Sequence, residues 1–148
     1  MKEQTMVQHA NNIAHLGQFR RDGVTPYVHH PESVALRVRH HGPDFEAVAL
    51  LHDVLEDNLH WTPTRLLDEG IPPHVVDAVV AITKVPGENY EGYIERVDSN
   101  SLARVVKIAD IMANLADHPK PKAIHKYAVA LAHLTRAPHY EAMLAEED

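Results

Sequence analysis

Apolar residues recur at helical spacing along nearly the whole chain, and no stretch sustains the alternation of a half-buried strand. Met6, Ala10, Ile13, Ala14 and Leu16 share one face of a first helix, which the glycines at 17 and 23 end. A loop over residues 20–30 follows, with Gly23 and Pro26 as punctuation. Pro31 suits the first turn of a second helix carrying Val34, Ala35, Leu36 and Val38, and His40-His41-Gly42-Pro43 breaks it. A third helix opens at Pro43-Asp44 and runs on through His52-Asp53. Thr62-Pro63 reads as a cap and a first helical residue, with Gly70 as the stop. Pro72-Pro73 starts the next helix, rich in Val75, Val76, Ala78, Val79, Val80 and Ile82, and Pro86-Gly87 ends it. Further helices are predicted from Asn89 or Tyr90 to about Ser99, from Ser101 to Ala116 and from Ile124 to about Thr135, with a weaker one after Pro138. The pattern predicts an all-α chain of about seven to nine helices.

Composition narrows the function classes. The 148 residues suit one domain with one core, and 45% hydrophobic residues are enough to build it. There is no cysteine, which removes disulfides and thiolate ligands and fits a cytoplasmic setting. The apolar runs are too short to span a bilayer, and no signal-peptide core precedes the first helix, so no membrane association is expected. A net charge of −7 without a long basic cluster argues against nucleic acid as a partner. No partner-binding segment stands out, and a homo-oligomer is compatible with the chain.

The stretch Leu50-Leu51-His52-Asp53-Val54-Leu55-Glu56-Asp57 carries the candidate chemistry. It sets one imidazole and three carboxylates in an apolar run with no basic residue among them. On a continuous helix these groups crowd one flank, where they repel one another and resist burial. A divalent cation removes that conflict, so the stretch reads as half of a metal site. Two other segments offer complementary groups. Tyr27-Val28-His29-His30-Pro31 presents imidazole at a loop–helix junction, and Val106 to Asn114 places Asp110 and Asn114 one turn apart in an apolar helix. Asp110 could also simply pair with Lys107 three residues earlier, as a surface bridge.

The ordered series of motifs resembles the HD-domain metal-dependent phosphohydrolases, and among them the hydrolase domain of the RelA/SpoT family in its small alarmone hydrolase branch. The matching segments are His15-Leu16-Gly17-Gln18-Phe19-Arg20, Pro26 to Pro31, Leu51 to Asp57, Ile82-Thr83-Lys84 and Lys107 to Asn114. The resemblance implies an HD-type helical bundle around a single metal. It implies one hydrolase domain over 1–148, with motifs in about 10–117 and C-terminal helices in 122–146. It implies the metal ligands His30, His52, Asp53 and Asp110, with His30 preferred to His29 because it directly precedes the proline. It implies Glu56 and Asp57 as the groups that activate water, and Arg20, Arg21, Asn114 and Lys84 as substrate contacts. The implied cofactor is Mn²⁺, with Fe²⁺, Zn²⁺ and Mg²⁺ as alternatives for such a donor set. The implied reaction removes the 3′-diphosphate from guanosine tetra- and pentaphosphate, a small-molecule nucleotide substrate.

The chain departs from that branch at Ile111 and Ala116, where the branch carries basic residues. The departure bears on specificity. One alternative is therefore an HD phosphohydrolase acting on another nucleotide or small phosphoester. Another is a sensor that binds nucleotide or metal without turnover.

Overall fold

The computed structural model describes residues 5–17, 29–57, 60–136 and 138–139. Among the described residues every regular element is helical. In chain order they are α1 (Met6–Gly17), α2 (His29–Val38), a 3-10 turn (Arg39–His41), α3 (Pro43–Leu51), α4 (Val54–Asp57), α5 (Pro63–Asp68), α6 (Pro73–Ile82), α7 (Tyr90–Asp98), α8 (Ser101–Leu115) and α9 (Pro121–Leu134). None of them is long and apolar enough to cross a membrane.

Local chemistry accounts for where these helices begin. Proline occupies the first turn of α3, α5, α6 and α9, where its missing N–H costs nothing. The side chains of Thr62, Asn89 and Asn100 accept from the backbone N–H of Arg65, Gly92 and Ala103 at 3.1, 2.7 and 3.0 Å, capping α5, α7 and α8. Gly42, at φ +124°, makes the sharp turn from the 3-10 segment into α3. Two boundaries differ from the sequence reading. α2 begins two residues earlier, at His29, and α9 begins at Pro121 rather than Ile124, because a proline at the first helical position starts a helix as well as breaking one.

α3 lies at the centre. Its residues Ala47 to Leu51 are all buried, and it packs against α1, α2, α6 and α8. This stretch, Ala47 to Leu51, is apolar on every side and can be covered from every side. Alanines Ala47, Ala49, Ala103 and Ala109 are buried where α3 and α8 meet their neighbours, and small residues let the backbones approach. α8 in turn touches α2, α3, α6, α7 and α9. One hydrophobic cluster runs through these contacts, from Ala10 of α1 to Leu134 of α9.

The expected third helix is two helices. α3 stops at Leu51, residues 52 and 53 form a turn, and α4 starts at Val54. Across this turn His52 and Asp53 face one centre, with His52 Nε2 3.3 Å from Asp53 Oδ2.

Candidate metal centre

Three segments bring the candidate ligands together. His30 comes from the first turn of α2, His52 and Asp53 from the turn between α3 and α4, and Asp110 from the middle of α8. Ligand-type atoms of His30, His52 and Asp53 lie within 4.8 Å of one another. Asp110 Oδ1 lies 2.7 Å from His30 Nε2 and 3.4 Å from His52 Nε2, and Asp53 Oδ2 lies 3.3 Å from His52 Nε2. The two imidazole rings meet edge to face with centroids 5.3 Å apart. His52 and Asp110 are buried, His30 and Asp53 partly so.

His52 tests whether these groups suit a cation. Its Nδ1–H donates at 2.5 Å to the Ala49 carbonyl, which the His52 backbone N–H also reaches at the end of α3. That contact assigns the tautomer and leaves the Nε2 lone pair toward two carboxylates. Nε2 is buried and has no well-aligned hydrogen-bond partner. A lone pair facing carboxylate oxygens is repulsive unless a proton or a metal ion stands between them. Burial alone would lower the pKa of His52, but the charges of Asp53 and Asp110 outweigh it and push it up to about 9. The two carboxylates thus favour positive charge beside this buried nitrogen, and a divalent ion can supply it. Separations of 3.3 and 3.4 Å also match adjacent donors each about 2.0–2.2 Å from one ion. The donor set fits a divalent metal.

Asp110 divides its work between two sides. Its Oδ1 faces the imidazoles, while its Oδ2 accepts from Lys107 Nζ at 2.8 Å. Burial alone would raise this carboxyl, yet the hydrogen bonds from the imidazoles and the charge of Lys107 hold it well below the usual carboxylate range. Burial likewise opposes the charge on Lys107, and Asp110 outweighs it, raising the ammonium above its ordinary value. The Lys107–Asp110 pair therefore exists, but as a buried pair behind the candidate ligand rather than a surface bridge. Lys107 also lies 5.2 Å from the centroid of the Tyr93 ring, and Tyr93 donates to the Ile82 carbonyl at 2.5 Å. Sequence reasoning assigned Lys107 no role in the site, although it opens the Lys-x-Ala-Asp motif.

Glu56 stands one turn beyond the break, exposed on one side. Partial burial and the nearby charge of Asp53 push its carboxyl above the ordinary value, against the opposing pull of Lys107, a hydrogen bond from the Lys84 backbone N–H, and His52. Glu56 and Lys84 line a cleft of about 640 Å³ with Thr83, Val85 and Pro86, a size suited to a nucleotide-sized ligand. The Lys84 segment is held by Arg96 of α7. Its guanidinium donates to the carbonyls of Val80, Ala81 and Thr83 at 3.0, 2.9 and 2.7 Å and to the Glu88 carboxylate at 2.8 Å. No sequence motif had pointed to Arg96. Its only signal is an opposite charge eight residues away, too far for one helix face.

Asn114 is half-buried one turn past Asp110. Ile111 is fully buried in the core and Ala116 is exposed. Arg20 and Arg21 lie outside the described residues, as does the side chain of Asp57.

Comparison with known proteins agrees with this picture. No protein-family profile matches the chain. It is 30% identical over 109 residues to a guanosine-3′,5′-bis(diphosphate) 3′-pyrophosphohydrolase of Aquifex aeolicus (strain VF5), an alignment covering 67% of this chain and 15% of that protein. The chain thus spans about 15% of the length of the curated relative it matches. In three dimensions it is similar to a solved structure described as a metazoan ortholog of SpoT that hydrolyzes ppGpp. The TM-score is 0.68 at 20% identity, covering 93% of this chain and 89% of that one.

Proposed function

We propose that this chain, an HD-type domain of the RelA/SpoT hydrolase kind, is a metal-dependent pyrophosphohydrolase of guanosine 3′,5′-bis(diphosphate) and its pentaphosphate analogue, yielding GDP or GTP plus pyrophosphate. One observation carries the reading: the imidazole of His30 and the carboxylates of Asp53 and Asp110, from three separate segments, gather around His52 Nε2, a buried nitrogen that wants a cation. The proposed ligands are His30, His52, Asp53 and Asp110, and the proposed ion is Mn²⁺, with Fe²⁺, Zn²⁺ and Mg²⁺ as alternatives for this donor set. When bound, the ion supplies Lewis acidity to water and neutralises charge on a phosphoryl oxygen.

The chain's own residues supply the rest. Glu56, its carboxyl raised above the ordinary value by partial burial and the charge of Asp53, takes a proton from the attacking water and can return it to the departing 3′-oxygen. Asp57 neighbours it on α4 and assists in positioning that water. Lys84 at the cleft, Asn114 on α8, and Arg20 and Arg21 hold the nucleotide and its phosphates. The catalytic unit spans residues 1–148 and works in the cytoplasm on a small nucleotide, as a monomer or homo-oligomer.

Incubating the purified chain with Mn²⁺ and guanosine tetraphosphate, with products separated by chromatography, tests this. GDP and pyrophosphate are expected, and Glu56→Gln should lower turnover by about 10²–10⁴-fold while metal content is unchanged. Metal-loaded wild type that leaves the nucleotide intact would overturn the substrate assignment.

A second reading draws on one observation. Ile111 is sealed in the core and Ala116 is uncharged, so the cations of α8 are Arg104, which donates to the Asp98 carbonyl at 3.0 Å, and Lys107, which Asp110 already neutralises. That favours a less charged nucleotide or a small phosphoester, and release of inorganic phosphate in place of pyrophosphate would support it. Nucleotide binding without turnover, by wild type and Glu56→Gln alike, would instead mark a sensor.

A further inference from the structure

The two candidate carboxylate ligands are held differently. Asp53 is partly exposed, and among the described residues neither of its oxygens is paired with a lysine or arginine. Asp110 is buried, and its two oxygens face separate partners. Oδ1 lies 2.7 Å from His30 Nε2 and 3.4 Å from His52 Nε2, while Oδ2 accepts from Lys107 Nζ at 2.8 Å.

That last bond is hard to give up. Lys107 sits one turn before Asp110 on the same face of α8, so the helix backbone fixes the pair. The two side chains are 12% and 6% exposed, which leaves water little access to take over either partner. Beside the ammonium stands the ring of Tyr93 from α7, with its centroid 5.2 Å from Nζ. Tyr93 is itself buried and fixed by its hydrogen bond to the Ile82 carbonyl. Among the described residues Asp110 is the one carboxylate paired with Lys107. An ion that drew Oδ2 away would therefore strand a buried ammonium. A carboxylate can give a cation one oxygen or both, and this one is left with one to give.

Resting on the ligand set proposed above, we propose that Lys107 is a positioning residue that restricts Asp110 to one-oxygen ligation and so keeps a place beside the ion open for water. A hydrolytic ion needs such a place, whereas a site filled by protein donors is structural. Lys107 thus acts on the ion through Asp110, without touching it.

The test uses the full chain and Mn²⁺ alone. Water-proton relaxation counts the exchangeable waters on each bound ion, elemental analysis counts the ions, and calorimetry gives their affinity. Lys107→Met removes the donor and keeps the apolar stem, and Lys107→Arg keeps charge and donors. With both oxygens of Asp110 released in Lys107→Met, relaxivity per bound ion should fall about twofold, as about two waters on a roughly six-coordinate ion become about one. Mn²⁺ should still bind at least as tightly as to wild type, because a repelling charge is gone and a donor is gained. Mere loss of packing would weaken binding instead. Lys107→Arg should restore the wild-type relaxivity. A second measurement is made on wild type, so it decides even if Lys107→Met does not fold. With diamagnetic Zn²⁺ bound, the isotope-labelled Lys107 ammonium should keep the slow proton exchange of a buried, hydrogen-bonded group in NMR spectra. Wild-type relaxivity in Lys107→Met, an equal fall in both variants, or loss of the ammonium's protection on adding Zn²⁺ would each overturn the inference. Wild type that binds no metal would overturn it together with the ligand set. The substrate assignment fails separately. The expected change in hydration, in a chain that leaves guanosine tetraphosphate intact, would sink the substrate and keep the role of Lys107. Hydrolysis by a chain whose bound Mn²⁺ ignores Lys107→Met would do the reverse.

Discussion

Asp110 answers to three positively charged or protonatable groups at once: His30 and His52 on one oxygen, Lys107 on the other. Removing it therefore does two kinds of damage. Asp110→Ala should lose the metal and also leave Lys107 a buried, uncompensated charge, costing the metal-free protein about 3–5 kcal/mol in urea denaturation. Asp53→Ala should lose the metal as well, but Asp53 is more exposed and its removal strands no lysine, so the apoprotein should stay within about 1 kcal/mol of wild type. Elemental analysis showing full metal occupancy in either variant would remove that residue from the ligand set. The residue types in this cluster are legible in the sequence, because His52, Asp53, Glu56 and Asp57 are conspicuous in an apolar run. The role of Lys107 is not, because a lysine three residues before an aspartate looks the same in sequence whether the pair is solvated or buried.

Among the elements, the break between α3 and α4 and the anchoring of the Lys84 segment matter most. The helical periodicity of residues 43–57 is real, and it predicts one helix because a two-residue interruption hardly disturbs a 3.6-residue pattern. Where α3 ends, the His52 ring takes the Ala49 carbonyl, a side-chain contact invisible to periodicity. By contrast, the starts of α5, α6 and α8 were legible, because Thr62, Pro73 and Asn100 act through their own backbone neighbours. Arg96 belongs to the illegible part, since its acceptors lie eight to sixteen residues away. Arg96→Met should cost about 2–4 kcal/mol by denaturant midpoint, since several charge-assisted bonds to helix-end carbonyls go together. It should also raise KM in the assay above more than it lowers kcat, by freeing Lys84. A variant with wild-type stability and KM would show that the 83–88 segment is held by other means.

Taken whole, the molecule is a helical core through which α3 and α8 pass, and its all-α class follows from a periodicity that never switches to two. The candidate metal joins α2, the α3–α4 turn and α8, so binding should report on the stability of the entire fold. At a metal concentration of about 100 times Kd, stabilisation should reach about 2.7 kcal/mol. For a chain of this length that corresponds to roughly 5–11 °C in the melting temperature. Asp53→Ala should abolish the rise, and a wild-type melt indifferent to Mn²⁺, Fe²⁺, Zn²⁺ and Mg²⁺ would argue against a built site. The joining of distant segments has a kinetic side. His30 and Asp110 touch at 2.7 Å although 80 residues separate them, and closing so long a loop is among the slower events open to a chain of local helices. Helical signal should thus appear during refolding before the chain can capture an ion, and the rate of metal uptake becomes a clock for the last step of assembly.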